Sequence, residues 1–314
     1  MQPVKEEDDV MFGEGPTLHR PMSSLEKIHI IVGYAIARKD IRDEIYCQIC
    51  KQLVENGNRT SYIRGWVLLS ICLGIFPPTE NFVMYLKNFI RSGPAEYAQH
   101  CNERLRRTMV NGVRGEPTCW IELQATKTKK PIMVSVSLMD GQNISLALDS
   151  ASTSKEVCNS IAQKIKLKDT FGFSLFIGLQ EKVWSLGSGR DHVMDAISQC
   201  EQEVRRKGGE EQHASWRLYF RKEVFTPWHD CRQDPVSTNL IYRQIIRGLK
   251  RSEYLSDKED DFVQLAAKHF YVQFGANNTL ENAKKVVEDC INITLIETKS
   301  EARWVQLIKT AHSQ

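Results

Sequence analysis

The sequence has no apolar run long enough to cross a bilayer. Its longest, Trp66 to Phe76, is stopped by Pro77-Pro78 well short of the roughly twenty residues a spanning helix needs. The opening "MQPVKEEDDVMFGEG" is acidic and lacks the basic start and apolar stretch of a secretory signal. Charge of one sign is also scarce, because 42 Lys and Arg face 39 Asp and Glu. The balance holds locally: 15 to 14 over residues 1–116, 15 to 13 over 117–223 and 12 to 12 over 224–314. No segment carries the field of a dedicated nucleic-acid binder, which argues against that class. Signatures of chemistry are missing too. There is no G-x-x-x-x-G-K-[ST], no G-x-S-x-G elbow, no H-E-x-x-H and no H-x-E. The glycines of "SLGSGRDHVMD", residues 185–195, read instead as a turn before a helix from about Asp191. His192 and Asp195 are close enough to pair on that helix, with no nucleophile implied. No cofactor is expected.

What is present begins with cysteine. Nine are scattered along the chain, an odd number, and with no signal they read as thiols in a reducing, cytoplasmic setting. Cys47 and Cys50 in "RDEIYCQICKQL" have C-x-x-C spacing. A structural zinc site needs four ligands, usually as two spaced pairs, and the chain has one pair. His29 and Cys72, on neighbouring predicted helices, are the candidates to complete it. A redox motif needs a helix N-terminus, whereas this pair lies mid-helix. On a helix the two thiols share a face near Ile45, Ile49 and Leu53. Packing in a helical bundle is therefore the stronger reading, and a zinc or thiol-redox protein built on Cys47 and Cys50 is the alternative.

Periodicity divides the chain into three parts after an N-terminal segment, residues 1–21, expected to be disordered. Residues 22–116 read as about five helices with short connections and no strand signal. Ser23-x-x-Glu26 is a capping box for the first, and Gly57-Asn58 suits the end of the second. The following helices are expected at Thr60–Phe76, Glu80–Ile90 and Pro94–Val110. Residues 117–223 change period. Ile132, Val134, Val136 and Leu138 alternate before Asp140-Gly141, where a type I′ hairpin turn is expected. A helix capped by Thr153-x-x-Glu156 follows, then strands at "FGFSLFIGL" and "SWRLYFRK". That order suggests a ubiquitin-like sheet packed on one helix. From residue 224 the chain turns helical again, with Ser256-x-x-Glu259 as a third capping box and further helices at Leu280–Cys290 and Lys299–His312. The last pattern runs to the end of the chain without a cap or polar tail, which reads as truncation.

Three basic clusters stand out. Arg104, Arg106 and Arg107 lie in "ERLRRT", Lys127, Lys129 and Lys130 in "TKTKK", and Arg205, Arg206 and Lys207 in "VRRKG". Such runs are commonly solvated faces. The first two flank the junction of bundle and sheet, and so are candidates for binding an acidic partner peptide or anionic lipid.

Several stretches together resemble a known arrangement. "RDEIYCQICKQL", "RGWVLLSICLGIFPP", "YLKNFI" and "ERLRRT" resemble the myosin tail homology 4 (MyTH4) domain. "WIELQATKTKKPIMVSV", "DHVMDAISQCEQ" and "WRLYFRKEVFTPWHD" resemble the first lobe of a FERM domain and its entry to the second. In this order they resemble the tandem cassette in the tails of class VII unconventional myosins. The resemblance implies a multidomain α and α+β chain: an incomplete helical bundle, a ubiquitin-like β-grasp first FERM lobe, and an incomplete helical second lobe without the third. It further implies a non-catalytic tail that binds scaffolds carrying ankyrin repeats or PDZ domains at actin-rich microvilli or stereocilia. Microtubule or anionic-lipid contact is a further expectation, as for a FERM-type peripheral membrane adaptor. ATP and actin chemistry belong to a motor domain outside these motifs.

Overall fold

A computed structural model describes residues 21–314. The segment expected to be disordered lies outside the described residues, apart from Pro21. The chain divides into two compact units. One comprises residues up to Ser135 with Ser145–Cys158 and Leu175–Leu218. The other comprises Val136–Ile144, Asn159–Ser174 and Tyr219–Gln314.

The first unit opens with helices α1 (Ser24–Ala37), α2 (Arg42–Leu53), α3 (Arg59–Leu73), α4 (Glu80–Ser92) and α5 (Ala95–Asn111). The Ser23–Glu26 box forms as read, with both reciprocal hydrogen bonds in place. Asn58, expected to end α2, caps α3 instead, its side chain accepting from the Ser61 amide at 3.0 Å. The core of these helices gathers on Trp66, which stacks between Phe89 and Tyr97 at centroid distances of 5.8 and 5.6 Å. Gly93 makes room for it, since a Cβ there would lie 2.2 Å from the indole. A sixth helix, α6 (Trp120–Thr128), forms within the stretch expected to open the sheet part, and packs on α3. Its apolar positions cover barely two turns, too few for a periodic signal.

Five strands make one sheet: β1 (Ile132–Leu138), β2 (Asn143–Leu148), β3 (Phe173–Leu179), β4 (Lys182–Gly187) and β5 (Arg217–Lys222), in the order β2-β1-β5-β3-β4. Ile132, Val134, Val136 and Leu138 are all buried, as their alternation indicated. The hairpin turn differs from expectation. Only Gly141 has positive φ there, whereas type I′ needs two such residues, so the loop is the longer kind with glycine at its single left-handed position. Strand β4 was not foreseen. Its outer residues mix lysine, tryptophan and serine without alternation, and it pairs with β3 through an irregular register. Helix α7 (Ser154–Ile165) begins with the Thr153–Glu156 box, and α8 (Val193–Arg206) starts two residues after the expected point.

The second unit contains α9 (Pro235–Lys250), α10 (Glu259–Phe274), α11 (Leu280–Cys290), α12 (Ile293–Thr298) and α13 (Glu301–His312). Phe262, Phe270, Val286, Trp304 and Ile308 form its core. Asp234 starts α9 by accepting from the Val236 and Ser237 amides, while its other oxygen receives the Lys168 and Asp169 amides. The third expected capping box does not form. Helix α10 starts at Glu259 itself, and the Ser256 hydroxyl turns to Asp261 at 2.5 Å. Short α12 was not anticipated, and Trp304 donates to the Leu295 carbonyl within it at 2.9 Å.

Candidate partner-binding surface

The C-x-x-C helix shows its purpose in the residues around the thiols. Arg42 donates to the last carbonyls of α1, at Ala35 and Ile36. Asp43 accepts from the Thr79 amide and hydroxyl, fixing the start of α4. Tyr46 is fully buried and donates to the Phe76 carbonyl at 2.6 Å. One helix thus ties together the ends of three others. The buried face is Arg42, Tyr46, Ile49 and Leu53, so Cys47 and Cys50 sit half-buried on its flank rather than at its centre. Burial pushes the Cys50 thiol up to about 12, with Cys47 adding to it, which leaves it a poor thiolate. His29 is engaged with the Thr118 carbonyl at 2.6 Å and Cys72 is fully buried. Among the described residues no three His, Cys, Asp or Glu side chains converge as a metal site.

The basic residues singled out from the sequence separate into different environments. Arg104 is buried and donates to the Ser70 carbonyl and the Thr126 hydroxyl. Arg107 grips Asp149 at 2.7 Å and Glu156 at 2.6 Å. That grip holds Glu156 down at about 2, opposed by partial burial and helped by the Thr153 amide and Asn111. Arg106 is exposed and pairs with Glu103 on its own helix. Lys129, in left-handed backbone at the end of α6, pairs with Glu96 and lies 4.1 Å over the Tyr97 ring. Lys127 and Lys130 remain exposed.

A larger electrostatic feature of the first unit was not read from the sequence. Arg114 is fully buried, donating to Glu122 at 2.6 Å, Asp195 at 2.5 Å and the Ser150 carbonyl at 3.1 Å. Burial opposes its charge, and the two carboxylates outweigh that penalty. Burial likewise works against the Glu122 charge, and Arg114 draws its pKa below the usual value. Asp195 also accepts from the Gly115 and Glu116 amides, so the pairing foreseen with His192 is secondary, at 3.8 Å. Glu201 has no such partner. It accepts from the Trp120 amide at 2.5 Å, its other oxygen is unpartnered, and burial raises its pKa to about 8. Only Arg114's isolation between glycine and valine hinted at this centre, because Glu122 lies eight residues away and Asp195 comes from 81 residues away.

Comparison with known proteins follows the same division. A MyTH4 domain model matches residues 28–125, so it includes most of α6, and an RA-like domain model matches residues 130–224. The chain is 53% identical over 301 residues to unconventional myosin-VIIb of Mus musculus, covering 96% of the chain and 14% of that protein. It is 51% identical over 297 residues to myosin-VIIa of Drosophila melanogaster, covering 94% of the chain and again 14% of the relative. Among solved structures, the human myosin 7b C-terminal MyTH4–FERM domain in complex with the harmonin-a PDZ3 domain matches with a TM-score of 0.72 and 26% identity, covering 94% of this chain and 61% of that one. The Dictyostelium discoideum myosin VII MyTH4–FERM MF1 domain matches with a TM-score of 0.73 at 23% identity, over 90% and 59% of the two chains, a likeness of fold alone. The chain therefore spans about 14% of the length of these curated relatives.

Proposed function

This chain belongs to the MyTH4–FERM tails of class VII unconventional myosins, and from that premise we propose that it is a non-catalytic stretch of tail that binds scaffold proteins. The part of the family it matches is the cargo-binding region and not the motor ATPase. The observation that carries the reading is 53% identity sustained over 301 residues with one class VII tail. A PDZ domain is the favoured type of partner, because the related human cassette is seen with one. Ankyrin-repeat scaffolds, anionic lipid and microtubules are further proposed contacts, as is residence with the cytoskeleton of microvilli or stereocilia.

On the partner-facing surface we place the exposed Lys127 and Lys130, together with exposed Arg106 of α5. Arg104, Arg107 and Lys129 contribute less charge to that surface, since they are engaged within the fold. Pull-down of the purified chain with the harmonin-a PDZ3 domain and with an ankyrin-repeat scaffold tests the reading. Capture by neither would reject it. Neutralising Lys127, Lys129 and Lys130 together is expected to weaken binding of an acidic partner, and unchanged affinity would remove these lysines from the surface.

A further inference from the structure

The second unit holds a group of arginines that neither the sequence motifs nor the proposed function uses. Helix α9 carries Arg243 and Arg247 four residues apart, and Arg251 follows four later as its C-cap. Like charges at this spacing disfavour a helix. Arg247 is half-buried, with its guanidinium 6.0 Å from the centre of the Tyr219 ring on β5. Arg221, also on β5, pairs with Glu253 at 2.5 Å. The charged groups facing Arg247 are Arg251, Glu253 and Arg221, and Glu253 is already paired with Arg221. Among the described residues Arg247 and Arg251 have no hydrogen-bonded acid. Burial, reinforced by Arg251, lowers the Arg247 pKa.

We infer that Arg247 and Arg251, with Tyr219 and Arg221 beside them, form a docking site for an acidic peptide segment of a partner protein. A guanidinium fork matches a carboxylate in two-point geometry, and Arg247 carries such a fork within 6.0 Å of the Tyr219 ring centre. Leu255, four residues beyond Arg251, is 86% exposed and supplies an apolar contact to such a segment. A membrane surface fits less well. Residues 224–314 hold 12 basic against 12 acidic side chains, and three arginines around a glutamate fall short of the dense basic cluster that anionic lipid recognition uses. The site stands apart from PDZ recognition, and either can fail while the other holds.

The test uses the whole chain and a set of labelled twelve-residue peptides, each with four Glu or Asp in a different spacing, read by fluorescence anisotropy. Saturable binding is expected for at least one peptide. The double variant Arg247→Gln/Arg251→Gln should weaken it about tenfold, as for loss of close interfacial charge pairs. Lys284→Gln/Lys285→Gln removes equal charge from exposed positions of α11 and should change it less than about twofold, as expected of rim charges. Unchanged melting of both variants shows that the fold is retained. Binding of no peptide, or equal weakening by the two doubles, overturns the proposal. So does sedimentation with phosphatidylserine vesicles that the arginine double alone abolishes, which would make the site a lipid site.

Discussion

The arginines of the two units look alike in sequence and have opposite fates in the fold. Arg104, Arg107 and Arg114 are held by the first unit: Arg107 by Asp149 and Glu156, Arg114 by Glu122 and Asp195, Arg104 by neutral oxygens. In the second unit Arg247 and Arg251 have no acid of their own, and the one nearby, Glu253, belongs to Arg221. A basic run therefore says little about which charges meet solvent or a partner. Of the deciding carboxylates only Glu122 is close in sequence, eight residues from Arg114, and the others arrive from 42 to 81 residues away.

The largest expected effect lies at the buried end of this comparison. Arg114→Met leaves Glu122 and Asp195 facing each other without a cation, and should cost about 3–5 kcal/mol in urea unfolding. Arg114→Met/Glu122→Leu removes one of the two orphaned charges, the more deeply buried, and should recover part of that loss. No recovery would mean that shape at this position matters more than charge.

Glu201 sharpens the contrast from the acidic side, because it is buried like Glu122 but has no arginine. Its folded pKa of about 8 lies above the ordinary 4.5. The folded chain therefore binds more protons there than the unfolded chain. Its contribution to stability is fully present below pH 4.5 and is lost as pH rises through 8. The lowered histidines act the other way below pH 6.5: His100, burial-depressed to about 4, with His29, His192 and His269. The difference between wild type and Glu201→Gln isolates the carboxylate. That gap should move by roughly 2–4 kcal/mol in favour of the variant between pH 5 and 8. Parallel curves for the two proteins would show that Glu201 titrates normally.

Local signals were legible where the residues that make a feature are neighbours in the chain. The boxes at Ser23–Glu26 and Thr153–Glu156, the alternation of β1 and most helices of the bundle are of this kind. Elements with weak or very short periods were not legible, and so α6, β4 and α12 were missed. The basic clusters were half-legible: the sequence marked which residues carry the charge, but could not tell that Arg104 and Arg107 are turned into the fold. The Ser256–Glu259 match shows a motif losing to competition, since Asp261 captures the hydroxyl. Thr153→Ala should cost about 1 kcal/mol of stability in thermal unfolding, the usual worth of a cap. Ser256→Ala should cost a few tenths at most, because its hydrogen bonds to Lys258 and Asp261 at the start of α10 are exposed and it satisfies no amide inside the helix. Equal costs would mean that the Ser256 box forms in solution.

The smallest effect closes the comparison, because its sign matters more than its size. Arg247→Gln removes a charge that repels Arg251 and Arg221, and it keeps much of the side chain that packs over Tyr219. Relief of a like-charge pair four residues apart is worth about 0.2–0.5 kcal/mol, offset by weaker stacking on the ring. Stability in urea should therefore stay level or rise slightly, while the same charge loss at Arg114 is severely destabilising. An arginine that costs the fold something to keep is one held for a partner. If Arg247→Gln instead destabilised the chain by more than about 1 kcal/mol, beyond the range of ordinary surface changes, Arg247 would join Arg114 as a structural cation and the contrast between the two units would fail.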